Sequence, residues 1–287
     1  MMLDKNTEIL IVGLGVIGGG YATALTNAGY TVRCITKNQE DIDYAIARGM
    51  IKEGSTDADP RLIGNADLVI CALYPTTFID WVTENQKHFK SGALLTDVTG
   101  VKGVVVDTVQ AMLRPDVEFI AAHPMAGRER SGVEYSDPAV FRGANYIVTP
   151  TEKNSEAAIG VCKEIGEVLG FARISVLTPQ EHDKMIAFLS QLTHIIAVSL
   201  MNCNSEEGLE KYTGDSFRDL TRIAKINDLM WSELFMLNKD ALIEQIDAFS
   251  DELSLFREML INDDKDGMRE KMRASTARRS LFDKPKM

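Results

Sequence analysis

The sequence predicts an α/β fold, with an N-terminal doubly wound parallel sheet followed by an all-helical domain. Three observations predict it. Short apolar runs at residues 8–12, 31–35, 68–72, 93–96, 119–122, 146–149 and 173–177 alternate with segments of helical character. A glycine-rich loop follows the first of these runs. Beyond Thr178-Pro179 the strand-like runs stop. Continuous apolar strands separated by helices belong to parallel sheets covered on both faces. The expected boundary therefore divides residues 1–178 from residues 179–287.

The first strand, at residues 8–12, runs directly into Gly13-Leu14-Gly15-Val16-Ile17-Gly18. A helix ending near Gly29 and a second strand at 31–35 complete the unit. Gly13 permits the tight turn, Gly15 leaves room for a pyrophosphate, and Gly18 allows close packing. The pyrophosphate would rest on the helix N-terminus, where unpaired N–H groups and the dipole favour anions. A glycine-rich turn in a non-binding α/β protein is the bland rival. The complete strand–loop–helix–strand context favours a Rossmann-type dinucleotide site made by Gly13, Gly15, Val16, Ile17 and Gly18.

The end of the second strand selects the dinucleotide. NAD sites usually place Asp or Glu there for the ribose 2′-hydroxyl. This chain reads Cys34-Ile35-Thr36-Lys37-Asn38, without a carboxylate. Thr36 and Lys37 would suit a 2′-phosphate, so the expectation is NADP, with NAD as the alternative.

The strands at 93–96 and 119–122 run into polar clusters, Asp97-Val98-Thr99-Gly100-Val101-Lys102 and His123-Pro124-Met125-Ala126-Gly127-Arg128-Glu129. Ligands of open α/β sheets bind at the carboxyl ends of strands. Asp97 is thus expected at the cofactor, and His123, which titrates near neutrality, at the chemistry.

In the C-terminal part, residues 180–202 are densely apolar, and Leu242, Ile246, Phe249, Leu253, Phe256 and Leu260 make a helical stripe in 239–261. Such a domain commonly forms dimers, so a homodimer through the helical domain is expected. A monomeric bundle core is the alternative. The net charge of −11 excludes a broadly basic nucleic-acid surface. Cys34, Cys71, Cys162 and Cys203 form no CxxC pair or metal spacing, and read as thiols of a reducing compartment. No bound metal is expected. Asp4 and Glu8 interrupt any signal-peptide layout, and no stretch is expected to approach bilayer-spanning length. A cytoplasmic protein without membrane partners is the expectation.

With these residues in view, the chain resembles the prephenate/arogenate dehydrogenase family. The resemblance rests on GLGVIGG at Gly13–Gly19, TDVTGVK at Thr96–Lys102, HPMAGRERSGVEYS at His123–Ser136, LSQLTHIIA at Leu189–Ala197 and FRDLTRIAK at Phe217–Lys225. It implies NAD(P)-dependent oxidative decarboxylation of prephenate to 4-hydroxyphenylpyruvate, a step of tyrosine biosynthesis. The substrate is a small cyclohexadienol with two carboxylates. By resemblance, His123 partners the substrate hydroxyl and Arg222 binds a carboxylate, for which a guanidinium is suited. His194 and Ser190, four apart on one helix, match substrate-binding positions. Glu129 and Asp219 match acidic neighbours of the arginine, and Trp231 is either substrate wall or core.

Two departures from the family matter. Gly100 stands where most members have Ser, so Thr99 or a water is expected to supply the missing hydroxyl. Thr36 stands where an acidic residue is usual. Arogenate is the alternative substrate, with Asp215 as a partner for its ammonium or else a helix cap. Remoter readings are a β-hydroxyacid or imine reductase using Lys184 or Lys225, and a non-enzymatic dinucleotide sensor. The reductase reading leaves the HPMAG segment unexplained, and the sensor would not need His123 and Arg222 together. His88 and His182 match no motif and read as surface residues.

Overall fold

The computed structural model describes residues 3–127 and 130–283. The strands are β1 (Glu8–Val12), β2 (Thr31–Ile35), β3 (Glu53–Ser55), β4 (Leu68–Cys71), β5 (Leu94–Asp97), β6 (Glu118–Pro124), β7 (Asn145–Thr149) and β8 (Arg173–Val176). They form one sheet in the order β3-β2-β1-β4-β5-β6-β7-β8. The chain winds outward from β1 in both directions, which places the switch point between β1 and β4.

Helices α1 (Val16–Asn27), α2 (Gln39–Ala47), α3 (Pro60–Asn65), α4 (Pro75–Asn85), α5 (Gly103–Met112) and α6 (Glu156–Leu169) connect the strands. Two buried apolar clusters cover the two faces of the sheet. Tyr21, Leu25, Phe141 and Tyr146 lie in one, and Phe78, Val82, Val105 and Val109 in the other. Burial on both faces explains why the strands read as continuous apolar runs.

Two features depart from the expected sheet, an added parallel strand and one antiparallel pairing. β3, with the sequence EGS, is a short half-buried strand whose local pattern carries no alternation. β7 pairs antiparallel to β6, with His123 opposite Ile147. No helical crossover joins β6 to β7, only a loop with two short 3-10 turns, so the chain returns beside β6 in the opposite direction. That loop packs on α1: Val133 and Ser136 lie against Gly19, and Phe141 lies against Gly20 and meets Tyr21 edge-on at 5.3 Å. Residues 133–141 are therefore seated on the helix that carries the glycine loop.

After β8 the chain is helical. Helix α7 (Pro179–Ile186) opens with a capping box in which Thr178 and Glu181 satisfy each other's backbone N–H. It continues through a π-helical segment, Ala187–Leu192, into α8 (Thr193–Asn202). Helices α9 (Asp215–Thr221), α10 (Asp228–Leu237), α11 (Lys239–Ile261) and α12 (Lys265–Arg279) follow. The continuous helix Pro179–Asn202 has 24 residues and a mean hydropathy of 1.5, long and apolar enough by those measures to cross a bilayer. This corrects the expectation that no stretch approaches that length. The helix nevertheless carries buried His182, Asp183 and Gln191, each hydrogen-bonded to another element. It is packed against the sheet domain through polar groups that lipid could not satisfy.

By its internal contacts the chain divides into two compact units, Met1–Lys239 and Asp240–Met287. Within the second, Lys271 of α12 pairs with Glu252 of α11 at 2.8 Å. Of the predicted stripe, Leu242 is buried and Ile246, Phe249 and Phe256 are half-buried, while Leu253 and Leu260 are 56% and 65% exposed, so its C-terminal part is the more open.

Candidate active site

The three glycines of the loop do three different things. Gly13 has φ +93°, and a Cβ there would collide with the Ala72 carbonyl oxygen. Gly18 lies so close to the Gly13 carbonyl that a Cβ would clash with it. Gly15 caps α1 without a side-chain partner, and a Cβ there would meet nothing within 4 Å. Open space above an uncapped helix N-terminus is what a pyrophosphate needs. The nearby end of β2 joins this site, because Gly13 N donates to Ile35 O at 2.8 Å. Thr36 follows, half-buried, and Lys37 is exposed. The residues present therefore fit a dinucleotide.

Below the carboxyl ends of β5 and β6 lies a buried ion pair. Lys102 is fully buried, and its Nζ donates to Asp97 Oδ2 at 2.7 Å, Ala122 O at 2.7 Å and Thr99 Oγ1 at 3.2 Å. Three donors meet three acceptors, the condition under which a buried ammonium is tolerated. Asp97 also accepts from Ala122 N at 3.1 Å and Thr99 N at 3.0 Å. The cluster locks β5 to β6 one residue before His123. Two expectations change here. Asp97 is 1% exposed and bonded on both oxygens, so it anchors the site from inside instead of facing the cofactor. The Thr99 hydroxyl accepts from Lys102 Nζ and has its single proton between Asp97 Oδ2 and Val101 O, so it does not replace the missing serine.

His123 sits half-buried at the end of β6. Its Nδ1 is 2.9 Å from Nε2 of His182. His182 Nδ1 is in turn 2.8 Å from Asp183 Oδ1. Asp183 closes the chain by accepting from the backbone N–H groups of Lys102 at 2.8 Å and Gly103 at 2.7 Å, the start of α5. Burial, the neighbouring His182 and the Lys102 charge all hold His123 well below the usual histidine range. Burial also lowers His182, opposed by its hydrogen bond to Asp183. Reading His182 as a surface residue is thus corrected: it is 0% exposed. Sequence reasoning missed it because its partner lies 59 residues away on another element. The adjacent Asp183 was the available signal.

The helical residues reach the site through α10. Asn238 Nδ2 donates to Asp183 O at 2.9 Å and Gln191 Oε1 at 2.8 Å, and Gln191 Nε2 donates to Leu234 O at 2.9 Å. Glu233 accepts from Thr76 N at 2.6 Å, tying α10 to the start of α4. Leu234 packs over Gly100, where a Cβ would lie 3.4 Å from a Leu234 methyl and 4.0 Å from His123 Cε1. One turn earlier, Trp231 stacks on His194 with centroids 3.7 Å apart. The structure thus brings His123, Gly100, Trp231 and His194 into one neighbourhood.

His194 Nδ1 donates to the Ser190 carbonyl at 2.8 Å, across the π-helical turn. Helical turns of this type recur at functional sites. Arg222 begins the turn Arg222–Ala224, which packs against α8, the helix that carries His194. Asp219 is exposed on α9. Asp215 is not the cap of α9, which is Gly214, and it pairs with Arg218 at 2.5 Å. Glu129 lies outside the described residues. Among the described residues no cluster of His, Cys, Asp and Glu could hold a metal ion.

Comparison with known proteins bears on this arrangement. Residues 21–176 match the family model described as "Prephenate dehydrogenase, nucleotide-binding domain", and residues 178–274 match "Prephenate dehydrogenase, dimerization domain". The prephenate dehydrogenase of Bacillus subtilis is 28% identical over 274 residues, covering 93% of this chain and 74% of the relative. That of Lactococcus lactis is 30% identical over 263 residues, covering 86% and 70%. A crystal structure of prephenate dehydrogenase from A. aeolicus, in complex with hydroxyphenyl propionate and NAD+, superposes with a TM-score of 0.90 at 29% identity, covering 99% of this chain and all of that one.

Proposed function

The chain belongs to the prephenate dehydrogenase family, and from that premise we propose that it oxidatively decarboxylates prephenate at His123, with NADP as preferred cofactor and NAD as an accepted alternative. The observation that carries the reading is the convergence on His123. It is supported by a glycine loop that fits a dinucleotide, by a histidine held neutral beside Gly100 and Leu234 of α10, and by the stack of Trp231 of α10 on His194 of α8, the helix against which the turn bearing Arg222 packs.

The chemistry asks for positioning and one proton acceptor. A nicotinamide bound at the glycine loop would supply the hydride acceptor for the ring carbon that carries the hydroxyl. His123 accepts the hydroxyl proton, the ring carboxylate departs as CO2, and aromaticity drives the loss. Arg222 holds a carboxylate of the substrate, aided by His194 and Ser190, and Trp231 supports His194. Asp219 and Glu129 are the acidic residues assigned to steady Arg222. Gly13, Gly15, Val16, Ile17 and Gly18 hold the pyrophosphate, and Thr36 and Lys37 hold the 2′-phosphate. The cofactor preference is supported by the exposed Lys37 and by the absence of a carboxylate from the end of β2.

The dimerization-domain match, together with Phe188 and Leu189, each 44% exposed on the continuous apolar helix, supports a homodimer through the helical domain. The thiols Cys34, Cys71, Cys162 and Cys203 are free, as in a reducing cytoplasm. Steady-state kinetics with prephenate and arogenate against NAD+ and NADP+ test the proposal. A higher kcat/KM for prephenate with NADP+ is expected, and the reverse order for either pair overturns that part. In His123→Asn, kcat is expected to fall by about 10²–10⁴-fold, the usual contribution of a positioned base.

A further inference from the structure

We propose that His182 and Asp183 form a hydrogen-bond relay behind His123 that fixes its tautomer, leaving Nε2 bare toward the substrate. The inference rests on the reading of His123 as the acceptor of the hydroxyl proton. His182 and Asp183 are positioning residues here, acting only through His123.

The direction of every hydrogen in the relay follows from its far end. The backbone N–H groups of Lys102 and Gly103 can only donate, and both point at the Asp183 carboxylate. That carboxylate accepts once more, from His182 Nδ1 at 2.8 Å, so the His182 proton is on Nδ1. Burial favours the neutral imidazole, in which the second nitrogen is a lone pair. His182 Nε2 is that nitrogen, and it lies 2.9 Å from His123 Nδ1. His123 Nδ1 must therefore donate. With His123 neutral, its own Nε2 carries the lone pair. A base needs that form, and an orienting hydrogen bond on the opposite nitrogen is the usual way to obtain it.

The proton balances without leaving the site. As hydride leaves the ring carbon, His123 Nε2 takes the hydroxyl proton and the C–O bond becomes C=O. The bond from the ring to the carboxylate then breaks, and its electron pair moves through the ring onto that oxygen. The oxygen takes back the proton, giving the phenol, and His123 is neutral again. In between, the imidazolium keeps its Nδ1–H on His182, which stays hydrogen-bonded to the Asp183 carboxylate. The titratable groups around His182 are the neutral His123 on β6, Asp183 on its own helix, and Lys102 and Asp97.

Asp183 also holds the N-terminus of α5, so substitution there disturbs the fold, and the test uses His182. The chain has four histidines, and ¹⁵N-histidine labelling resolves them by substitution. At pH 8 in the full-length enzyme, His123 and His182 are expected to show protonated Nδ1 and unprotonated Nε2. His182→Gln offers its amide oxygen to His123 Nδ1–H, and is expected to keep that tautomer and a kcat within about tenfold of wild type. His182→Leu is expected to release His123 to the Nε2–H form. Its kcat falls at least about 100-fold while the KM for prephenate stays within about threefold, because a wrong tautomer cripples a base that is otherwise in place. An Nε2–H tautomer for His123 in the wild type overturns the relay, as does a kcat in His182→Leu within about threefold of wild type. Equal loss in the Gln and Leu variants, with KM rising alongside, shows a packing role and overturns it too. The relay fails alone if the tautomer is wrong while His123→Asn is inactive. If His123→Asn retains full activity, the reading of His123 falls and takes the relay's role with it.

Discussion

His194 lies nearly flat on Trp231, with ring centroids 3.7 Å apart and planes inclined by 29°. The stack joins α8 to α10, and it sets the orientation of a histidine whose Nδ1 is already bound to the Ser190 carbonyl. In Trp231→Leu the stack is lost while the apolar volume is largely kept. An aromatic pair contributes about 0.5–1.5 kcal/mol beyond burial, so the KM for prephenate should rise about twofold to tenfold with kcat little changed. Initial-rate kinetics check it; an unchanged KM would remove Trp231 from the substrate site.

Gly100 leaves a gap that a serine would fill. A Cβ there stands in ordinary contact with Leu234 and 4.0 Å from His123 Cε1. Gly100→Ser should fold with an unchanged Tm. It should raise kcat/KM up to about fivefold if its hydroxyl contributes the ~1 kcal/mol of a typical hydrogen bond. Gly100→Val, with two methyl groups aimed at the same space, should lower both Tm and kcat/KM.

The direction of the histidine shifts sets a pH dependence. His123 and His182 are both held below the ordinary value of about 6.5. A base is competent above its pKa, so the acid limb of kcat/KM should lie below pH 6.5. Stability follows the same sign. Below about pH 6.5 the unfolded chain binds protons that the folded chain refuses, so folding stability is present above that pH and drains as pH falls toward the folded pKa values. Urea unfolding at pH 5 to 8 should show this loss, and His182→Gln should make the slope shallower.

The Lys102–Asp97 pair is wholly buried, with 0% side-chain exposure on both partners. Lys102→Met strands the carboxylate and should cost about 3–5 kcal/mol in urea unfolding, as for other buried pairs broken on one side. Removing both charges in Lys102→Met/Asp97→Leu should cost less than either single change. A double variant as unstable as the sum of the two singles would contradict the pairing.

Much of this molecule is local, and that part was legible in the sequence. The strand–glycine–helix unit follows from backbone requirements at Gly13, Gly15 and Gly18. Strands buried on both faces announce themselves as apolar runs. His123 was found because it stands at a strand's carboxyl end beside Pro124, within a run that matches a family. Local pattern could not show what distant segments do to one another. β3 is too short and half-exposed to carry a period. β7 runs against β6 because a loop, not a crossover helix, joins them. Asp97 and Thr99 looked available at a strand end until Lys102 folded beneath them and used their oxygens. His182 looked like a surface residue because it matches no motif; the packing of α7 against α5 and β7 buried it, within hydrogen-bond reach of His123. A sequence determines which groups a chain can offer and which backbone shapes it favours. Which donor meets which acceptor is decided by burial: once water is excluded, each polar group must find a partner within the fold.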